Sequence, residues 1–485
     1  MELVDKDILL RYVYAKLNEA PKLSEMYTKV GDKTLKYRRV FFRLKKYVDE
    51  FLGGNKTDNR FVVLPGLRGV GKTTLLFQIY EYIEKKGIKR DCILYIPADE
   101  LVSFFGAGLK DVIDVFIREI QETSLPMLDK KIFIMIDEAH YDRNWSQVGK
   151  IIYDQSKNVF TIFTGSSALG IEMGVDAARR AKKEAVFPLN FSEYLTLKHD
   201  FFPPRGTAES LKNLIFKYNR YFAETAIKKE SEMKRRFLNL ERPIEKEWKD
   251  FLYYGGFPFG IHSNQIDTYE RIFAMVDRVI EKDVFSLKTF NTETRNTISR
   301  ILMFLSLQKP GGTSDVKLAE RLETSSSLVR SILEMLEKTH LIFSVRPYGG
   351  AGKIIRKPWK YYFLSPSVNA ALKYKFGMLD RSDRIVQGIL TENLVASYFM
   401  RLKETTGMPI GIFYDAEKGG VDFLLQVGDD TMIPVEVGIG KKKEDQLKDA
   451  ISRYNSPYGI IIEDREKLEL KDKIIRIPII TFSFI

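Results

Sequence analysis

The sequence predicts an α/β fold built on a parallel sheet that helices cover on both faces. Four short apolar runs recur in its N-terminal half, and stretches with helical periodicity separate them. The runs occupy residues 61–64, 92–96, 132–136 and 160–163. Strands of a parallel sheet are buried on both faces, so they read as continuous apolar sequence, as these runs do. The first run also leads into a glycine-rich loop at the start of a helix.

This glycine-rich loop matches the pattern G-x-x-x-x-G-K-[ST] in full. It comprises Gly66, Leu67, Arg68, Gly69, Val70, Gly71, Lys72 and Thr73, and Thr74 follows in the helix. Glycines let the backbone turn successive N–H groups toward phosphate oxygens, and the helix N-terminus faces the same phosphates. We expect Lys72 to bridge the β- and γ-phosphates and the Thr73 hydroxyl to ligate Mg²⁺. These nine residues therefore predict a site for ATP or ADP with Mg²⁺.

Two acidic residues follow the third apolar run. Asp137 and Glu138 come directly after residues 132–136, so a buried strand would deliver two carboxylates beside the phosphate loop. Asp137 is placed to hold the Mg²⁺ shell, and Glu138 is the candidate general base for the attacking water. The loop and the acids together predict hydrolysis of ATP to ADP and phosphate. His140 is a weaker candidate, because a lone histidine in a loop is more often a bystander.

Hydroxyl-bearing residues end the fourth apolar run. The order of a phosphate loop, an Asp-Glu strand end and a Thr-Gly-Ser-Ser strand end at residues 164–167 resembles the AAA+ ATPases. In those ATPases the last element senses the γ-phosphate. The resemblance implies that Ser166 is the sensor residue and that Thr164 is the second candidate.

Segments further along the chain are similar to one bacterial and archaeal AAA+ family. They are residues 176–181, 188–194 and 255–258. Members of that family carry a helical lid, a winged helix and a C-terminal PD-(D/E)xK nuclease-like domain of unknown function. The resemblance implies that Arg179 and Arg180 contact the γ-phosphate, either in the same subunit or across a subunit boundary of a homo-oligomer. The alternative is that both arginines are solvated helix charges.

The helical pattern and the resemblance together imply five parts. They are an N-terminal helical segment (1–57), an AAA+ P-loop ATPase core (58–198), a helical lid (199–285), a winged-helix domain (286–375) and a nuclease-like domain (376–485). In the first part, basic residues surround an apolar helix face, which favours a solvated amphipathic helix over an anion-binding face. In the winged helix, the second helix has few basic residues beyond Arg330 and Lys338, so packing against protein is nearly as well supported as DNA binding.

The last part contains the acids of a degenerate nuclease site. Glu392 lies on a predicted helix, and Asp422 and Glu436 lie on consecutive predicted strands. This spacing resembles PD-(D/E)xK nucleases, in which acids hold Mg²⁺ and a lysine two residues later orients the water. Gly438 occupies the position of that lysine, and lysines at 441–443 follow the strand end. We therefore expect no robust DNA cleavage, and favour a DNA-binding or degenerate nuclease fold.

The composition of the chain indicates which kind of partner and which cellular compartment to expect. The 485 residues include 77 basic and 65 acidic side chains, which gives a net charge of +12. This charge makes DNA a plausible partner. The alternative is a basic enzyme without such a partner. Cys92 is the single cysteine, which excludes an intramolecular disulfide and suits a reducing compartment. The sequence shows neither a membrane-spanning apolar run nor a signal peptide, so we expect a cytoplasmic protein without a membrane partner.

These observations predict an AAA+ ATPase that couples its nucleotide state to conformational change. We expect this change to act on bound DNA. Two alternatives stay open. One is an ATP-gated DNA nuclease, which Mg²⁺-dependent nicking would favour. The other is a nucleotide-controlled assembly switch, which retention of nucleotide with negligible turnover would favour.

Overall fold

The computed structural model describes residues 5–54, 58–166, 173–284, 292–308, 311–428, 431–440 and 444–485. The chain divides into two compact units, residues 1–187 and residues 188–485. Within the described residues, no helix has both the length and the apolar character needed to cross a membrane.

The first unit contains a five-stranded parallel sheet. A short hairpin of β1 (Lys29–Val30) and β2 (Lys33–Thr34) precedes it. The sheet consists of β3 (Phe61–Pro65), β4 (Ile93–Pro97), β5 (Ile132–Asp137), β6 (Val159–Gly165) and β7 (Lys182–Lys183). Its spatial order is β4-β5-β6-β3-β7, and all neighbours are parallel. The four predicted strands are confirmed as β3 to β6. The sequence does not predict β7, because its two residues are exposed lysines without an apolar signal.

Helices lie along this sheet, and the N-terminal one shares its core. They are α1 (Lys6–Thr28), α2 (Arg39–Gly53), α3 (Lys72–Lys85), α4 (Ala98–Phe105), α5 (Leu109–Val115), α6 (Trp145–Gln155) and α7 (Val175–Ala178). Leu9, Tyr12 and Val13 of α1 are buried in one hydrophobic cluster with Ile96 of β4 and Ile134 of β5. The N-terminal helix is therefore an integral part of the first unit.

The second unit begins with helices. They are α8 (Phe191–His199), α9 (Thr207–Phe216), α10 (Arg220–Phe237), α11 (Ile244–Tyr253) and α12 (Gln265–Arg278). This agrees with the helical character predicted for residues 199–285.

Three further helices precede a β-hairpin. The helices are α13 (Thr292–Leu307), α14 (Asp315–Leu322) and α15 (Ser326–Lys338). The hairpin pairs β8 (Ile342–Pro347) with β9 (Lys360–Phe363) in antiparallel register, and the short helix α16 (Ala351–Arg356) lies between them in sequence. This order is compatible with the winged-helix domain expected at residues 286–375, and that assignment stays a prediction.

The same hairpin belongs to a larger C-terminal sheet. The additional strands are β10 (Ile410–Tyr414), β11 (Phe423–Val427), β12 (Thr431–Gly438), β13 (Gly459–Glu463), β14 (Glu469–Lys471) and β15 (Ile474–Pro478). The accompanying helices are α17 (Pro366–Lys375), α18 (Arg384–Thr406), α19 (Asp445–Arg453) and α20 (Ile479–Phe482). The sheet order is β14-β15-β13-β12-β11-β10-β8-β9, with β8 parallel to β10. One sheet therefore extends across the predicted boundary between residues 286–375 and residues 376–485.

Candidate nucleotide-binding site

The glycine-rich loop connects the end of β3 to the start of α3. Gly69 and Gly71 have φ angles of 78° and 90°, in the left-handed region that other residues rarely adopt. Gly71 is also the N-cap residue of α3. Leu67 and Val70 are buried, so the loop is anchored in the core while its backbone curves around the helix N-terminus. This backbone form is the one that a phosphate cradle requires.

Lys72 lies across this loop. Its Nζ donates hydrogen bonds to the carbonyl oxygens of Gly66 at 2.9 Å and Leu67 at 3.3 Å, and the side chain is buried. An ammonium group has three donors, so these two bonds leave one direction available. The side chain is thus held at the loop, where the sequence analysis expects it to meet phosphate oxygens.

Thr73 and Asp137 form a direct contact between α3 and β5. The Thr73 hydroxyl donates to Asp137 Oδ2 at 2.7 Å. Burial, together with the charge of Glu138, raises the pKa of Asp137, although hydrogen bonds from Thr164 and Thr73 oppose this. A hydroxyl and a carboxylate side by side are hard oxygen ligands, and Mg²⁺ in nucleotide sites combines such groups with phosphates and water. These two residues therefore fit the predicted Mg²⁺ site.

Thr164 organises the two acids. Its hydroxyl donates to Asp137 Oδ1 and accepts a hydrogen bond from the backbone N–H of Glu138 at 3.2 Å. The side chain is completely buried at the end of β6. Thr164 was the second sensor candidate, but in this structure its hydroxyl is engaged in positioning the acid pair.

Glu138 has an unusual backbone and a cationic neighbourhood. Its φ angle is 51°, in the left-handed region, which aims the residue away from the direction of β5. Arg68 Nη1 lies 3.8 Å from its carboxylate, and His140 Nδ1 lies 3.5 Å from it. Burial raises the pKa of Glu138, but the charges of Lys72 and Arg68 outweigh burial and lower it. The carboxylate is therefore held in the ionised form that a general base requires.

His140 contacts both Glu138 and Ser166, the residue that follows β6. The backbone N–H of Ser166, the first sensor candidate, donates to His140 Nδ1 at 3.4 Å. Ser166 is buried at the same edge of the sheet as the acids. Ser167 lies outside the described residues. His140, which the sequence analysis treats mainly as a bystander, thus lies between the candidate sensor and the candidate base.

The two candidate arginines differ in their surroundings. Arg180 contacts Asp154 at 2.5 Å and donates to the carbonyl of Asp176 at 2.8 Å, so it is tied to its own unit. Arg179, at the end of α7, is exposed. This difference favours Arg179 over Arg180 as the residue available to a phosphate or to a neighbouring subunit, and both assignments stay predictions.

Arg38 is a residue of this site that the sequence analysis missed. We expected the basic residues around α2 to be solvated, but Arg38 is 5% exposed. It donates to the carbonyl oxygens of Val70 in the phosphate loop at 2.6 Å and Phe187 at 2.8 Å. The expectation is wrong for Arg38, because its tertiary partners outweigh the polarity of a guanidinium group. No local sequence signal distinguishes it from its basic neighbours.

Of the three acids predicted for a degenerate nuclease site, Glu392 and Glu436 lie on the predicted helix and strand, and Asp422 lies one residue before its strand. Glu392 is in α18, Asp422 directly precedes β11, and Glu436 is buried in β12. The Asp422 carboxylate accepts the backbone N–H of Val437 at 2.8 Å. Among the described residues, no group of three or more His, Cys, Asp or Glu side chains is arranged to hold a metal ion. The lysines at 441–443 lie outside the described residues.

A lysine of the hairpin, Lys360 in β9, lies beside one of these acids, Glu392. Lys360 Nζ is 3.6 Å from the Glu392 carboxylate, and the Tyr362 hydroxyl donates to the same carboxylate at 2.7 Å. Burial raises the pKa of Tyr362, and the charges of Glu392 and Asp422 add to this effect. From the sequence, the candidates for the missing cation are the lysines that follow Gly438. Lys360 is not among them, because its hairpin joins the C-terminal sheet through Arg346 and Phe413, which are 67 residues apart, and such pairing leaves no local trace.

Two segments of the chain match known family models. Residues 58–195 match an AAA domain, and residues 245–379 match a domain of unknown function (DUF8612). Among whole proteins, the chain is 32% identical over 462 residues to the uncharacterized protein MJ1637 of Methanocaldococcus jannaschii, covering 94% of this chain and 90% of that protein. It is 24% identical over 328 residues to an uncharacterized protein of Haemophilus influenzae, covering 66% of this chain and 70% of that protein.

Solved structures offer more distant likenesses. The Walker-type ATPase PABY2304 of Pyrococcus abyssi is 14% identical, covers 71% of this chain and 97% of its own, and has a TM-score of 0.41. The ORC2 protein of Aeropyrum pernix, in ADPNP–ADP complexes, is 12% identical, covers 77% of this chain and 98% of its own, and has a TM-score of 0.35. Both TM-scores are too low to bear on activity or ligand. The similarity to MJ1637 over almost the full length shows that the chain belongs to the same protein family as MJ1637, with an AAA domain at residues 58–195.

Proposed function

We propose that this protein is an ATPase that binds ATP with Mg²⁺, hydrolyses it to ADP and phosphate, and couples nucleotide state to conformational change. The observation that carries the proposal is the 2.7 Å contact between Thr73 at the phosphate loop and Asp137 at the end of β5. It brings the predicted phosphate and metal ligands to one edge of the sheet, with Glu138 as the next residue.

Each residue of this edge has a distinct task. The loop N–H groups and Lys72 bind the phosphate oxygens, and the Thr73 hydroxyl and Asp137 carboxylate hold Mg²⁺. When bound there, Mg²⁺ would supply positive charge against the phosphate oxygens. Glu138, ionised and directly after the metal ligand, takes the proton of the attacking water. Thr164 keeps both acids in register through its two hydrogen bonds.

Phosphate release from ATP tests this proposal directly. We expect the purified protein to release phosphate from ATP when Mg²⁺ is present. Phosphate release should stop when a chelator removes the metal, because the neutral Thr73 and the acidic Asp137 supply no positive charge against the phosphates. Readdition of Mg²⁺ should restore turnover. Absence of both nucleotide binding and turnover with Mg²⁺ would contradict the proposal.

DNA is the partner that the net charge of +12 supports. One contact limits the kind of binding: Arg330 of α15 forms an ion pair with Asp315 at 2.6 Å, so this arginine is already engaged. We therefore propose binding through DNA phosphates rather than base reading, within the arrangement expected of a winged helix.

We expect DNA affinity to fall steeply with salt, because cations that neutralise phosphates release counterions. If the protein neutralises about six phosphates, affinity falls roughly 10³-fold between 50 and 200 mM salt. Titration of single-stranded, duplex and forked DNA at both salts measures this, and ATP turnover with each DNA reports coupling. Lack of binding to all three at low salt would leave the assembly switch as the better interpretation.

An ATP-gated DNA nuclease is the first alternative, and Lys360 beside Glu392 is the observation in its favour. Against it, Glu392 and Asp422 already have protein partners in the second unit. We propose that the domain is nuclease-like in fold without robust cleavage. The same DNA samples decide this: nicking with Mg²⁺ by the wild type that disappears in Asp422→Ala would establish the nuclease.

A nucleotide-controlled assembly switch with slow turnover is the second alternative. The 3.8 Å contact between Arg68 and Glu138 supports it, because a carboxylate paired with a cation is a weaker proton acceptor. Protein that keeps one nucleotide per chain through purification, with negligible turnover, would favour this switch over a cycling ATPase.

A further inference from the structure

Arg38 is a buried cation that contacts the outer side of the phosphate loop. It precedes α2 as its N-cap residue, and its guanidinium group reaches the carbonyl of Val70 at 2.6 Å. Burying a guanidinium group is unfavourable unless it has partners, and the hydrogen bonds to Val70 and Phe187 help to offset this cost. Hydrogen bonds from charged donors are also stronger than those between neutral groups.

The bond to Val70 has a direct consequence for the phosphate cradle. A peptide unit is planar and trans, so its C=O and its N–H point in opposite directions. Arg38 holds the Val70 carbonyl on the outer side of the loop. The N–H of Gly71, in the same peptide unit, is therefore directed to the inner side, where the phosphates are expected.

A segment at the end of the first unit contacts the loop as well. Residues 184–187, the outer segment, run beside β3: the N–H of Glu184 donates to the carbonyl of Val63 at 2.9 Å, and that of Val186 to Pro65 at 2.8 Å. A Cβ atom on Gly66 would lie 2.4 Å from the Val186 carbonyl oxygen. The first glycine of the loop is thus required by the outer segment, and the loop cannot move there independently of it.

The outer segment is in turn fixed to α2. Arg43 pairs with the Glu184 carboxylate at 2.7 Å, and the Tyr47 hydroxyl donates to the same carboxylate at 2.5 Å. Arg38 adds a third link at Phe187. The N-terminal part of α2, the outer segment and the phosphate loop are therefore one connected structure.

We propose that Arg38 is a positioning residue for the nucleotide: it holds the phosphate loop in its binding form and links occupancy of the loop to residues 184–187. The proposal rests on the ATP site proposed above. Arg38 does not touch the reacting atoms, so its loss weakens binding far more than it slows the chemical step. A lysine can replace it only in part, because one planar guanidinium group with several donors serves two carbonyl oxygens.

The test compares Arg38→Met with the wild type and with Lys46→Met. Lys46 lies on the same helix with its side chain 72% exposed, so the control makes the same change of charge at a solvated position. We expect Arg38→Met to bind ATP about 10-fold or more weakly, the scale of a lost charged hydrogen bond, with KM raised and kcat nearly kept. Lys46→Met should match the wild type. Hydrogen exchange of peptides spanning residues 184–187 should slow on ATP addition in the wild type but not in Arg38→Met.

Arg38→Lys protects the test against misfolding, since it keeps the charge and should give intermediate affinity. A folded Arg38→Met protein with wild-type affinity and wild-type exchange would overturn the proposal. So would an equal loss of affinity in Lys46→Met. A wild type that binds no nucleotide would instead contradict the proposed ATP site, so the two failures are distinguishable.

Discussion

Replacing Lys72 with alanine is expected to lower ATP affinity and turnover by about 10²-fold or more, because charged hydrogen bonds to phosphate are lost. Within the described residues, the Lys72 ammonium donates to the carbonyl oxygens of Gly66 and Leu67 in the loop, so we expect the sheet and α3 to stay intact without it. Equilibrium binding of a fluorescent ATP analogue and phosphate release measure the two effects, and circular dichroism checks the fold.

The matched control for this variant is Lys85→Ala. Lys85 lies on the same helix with its side chain 67% exposed, and it pairs with Glu81 at 3.6 Å. It should bind and hydrolyse ATP as the wild type does. If Lys72→Ala also keeps wild-type affinity and turnover, the nucleotide site has been assigned to the wrong loop.

Glu138→Gln is expected to separate binding from chemistry. Glutamine has nearly the same shape but cannot accept the proton of water, so hydrolysis should fall about 10²-fold or more. ATP affinity should be kept, because Glu138 contacts neither the loop backbone nor the metal pair of Thr73 and Asp137 in the hydrogen bonds described. Single-turnover phosphate release, with nucleotide retention measured in parallel, distinguishes the two steps.

Glu122→Gln is the matched control, because it makes the same substitution at another glutamate with a left-handed backbone. Glu122 also has a left-handed φ angle, of 52°, and it is exposed away from the acids. It should hydrolyse ATP at the wild-type rate. Normal turnover by Glu138→Gln would show that another group is the base, and His140 would then be the first residue to examine.

The core of the first unit could be predicted because its signals are local. A glycine-rich loop between a buried strand and a helix specifies its own backbone, and Gly69 and Gly71 adopt the left-handed angles that it requires. The acids at the end of β5 follow from the apolar run before them. The contact between Thr73 and Asp137 then follows from the parallel order of β3, β6 and β5.

The sequence does not reveal the roles of residues whose contacts are distant along the chain. Arg38 contacts residues 32 and 149 positions away, and it has the same local sequence character as its solvated neighbours. Thr164 has the pattern of a phosphate sensor, but its hydroxyl is taken up by Asp137. Lys360 reaches Glu392 because β9 joins the C-terminal sheet, which composition and periodicity do not specify.

The pairing of β8 with β10 limits how this protein can be divided. Arg346 and Pro347 are in register with Phe413 and Tyr414, and the N–H of Tyr348 extends the ladder to the Tyr414 carbonyl at 3.0 Å. A chain cut after residue 375 would leave β8 with an unpaired edge, and the remaining fragment would expose the edge of β10. Exposed edges promote aggregation by recruiting other strands. The hairpin and the C-terminal strands therefore form one structural piece, and a fragment that carries one without the other is a poor surrogate for the whole.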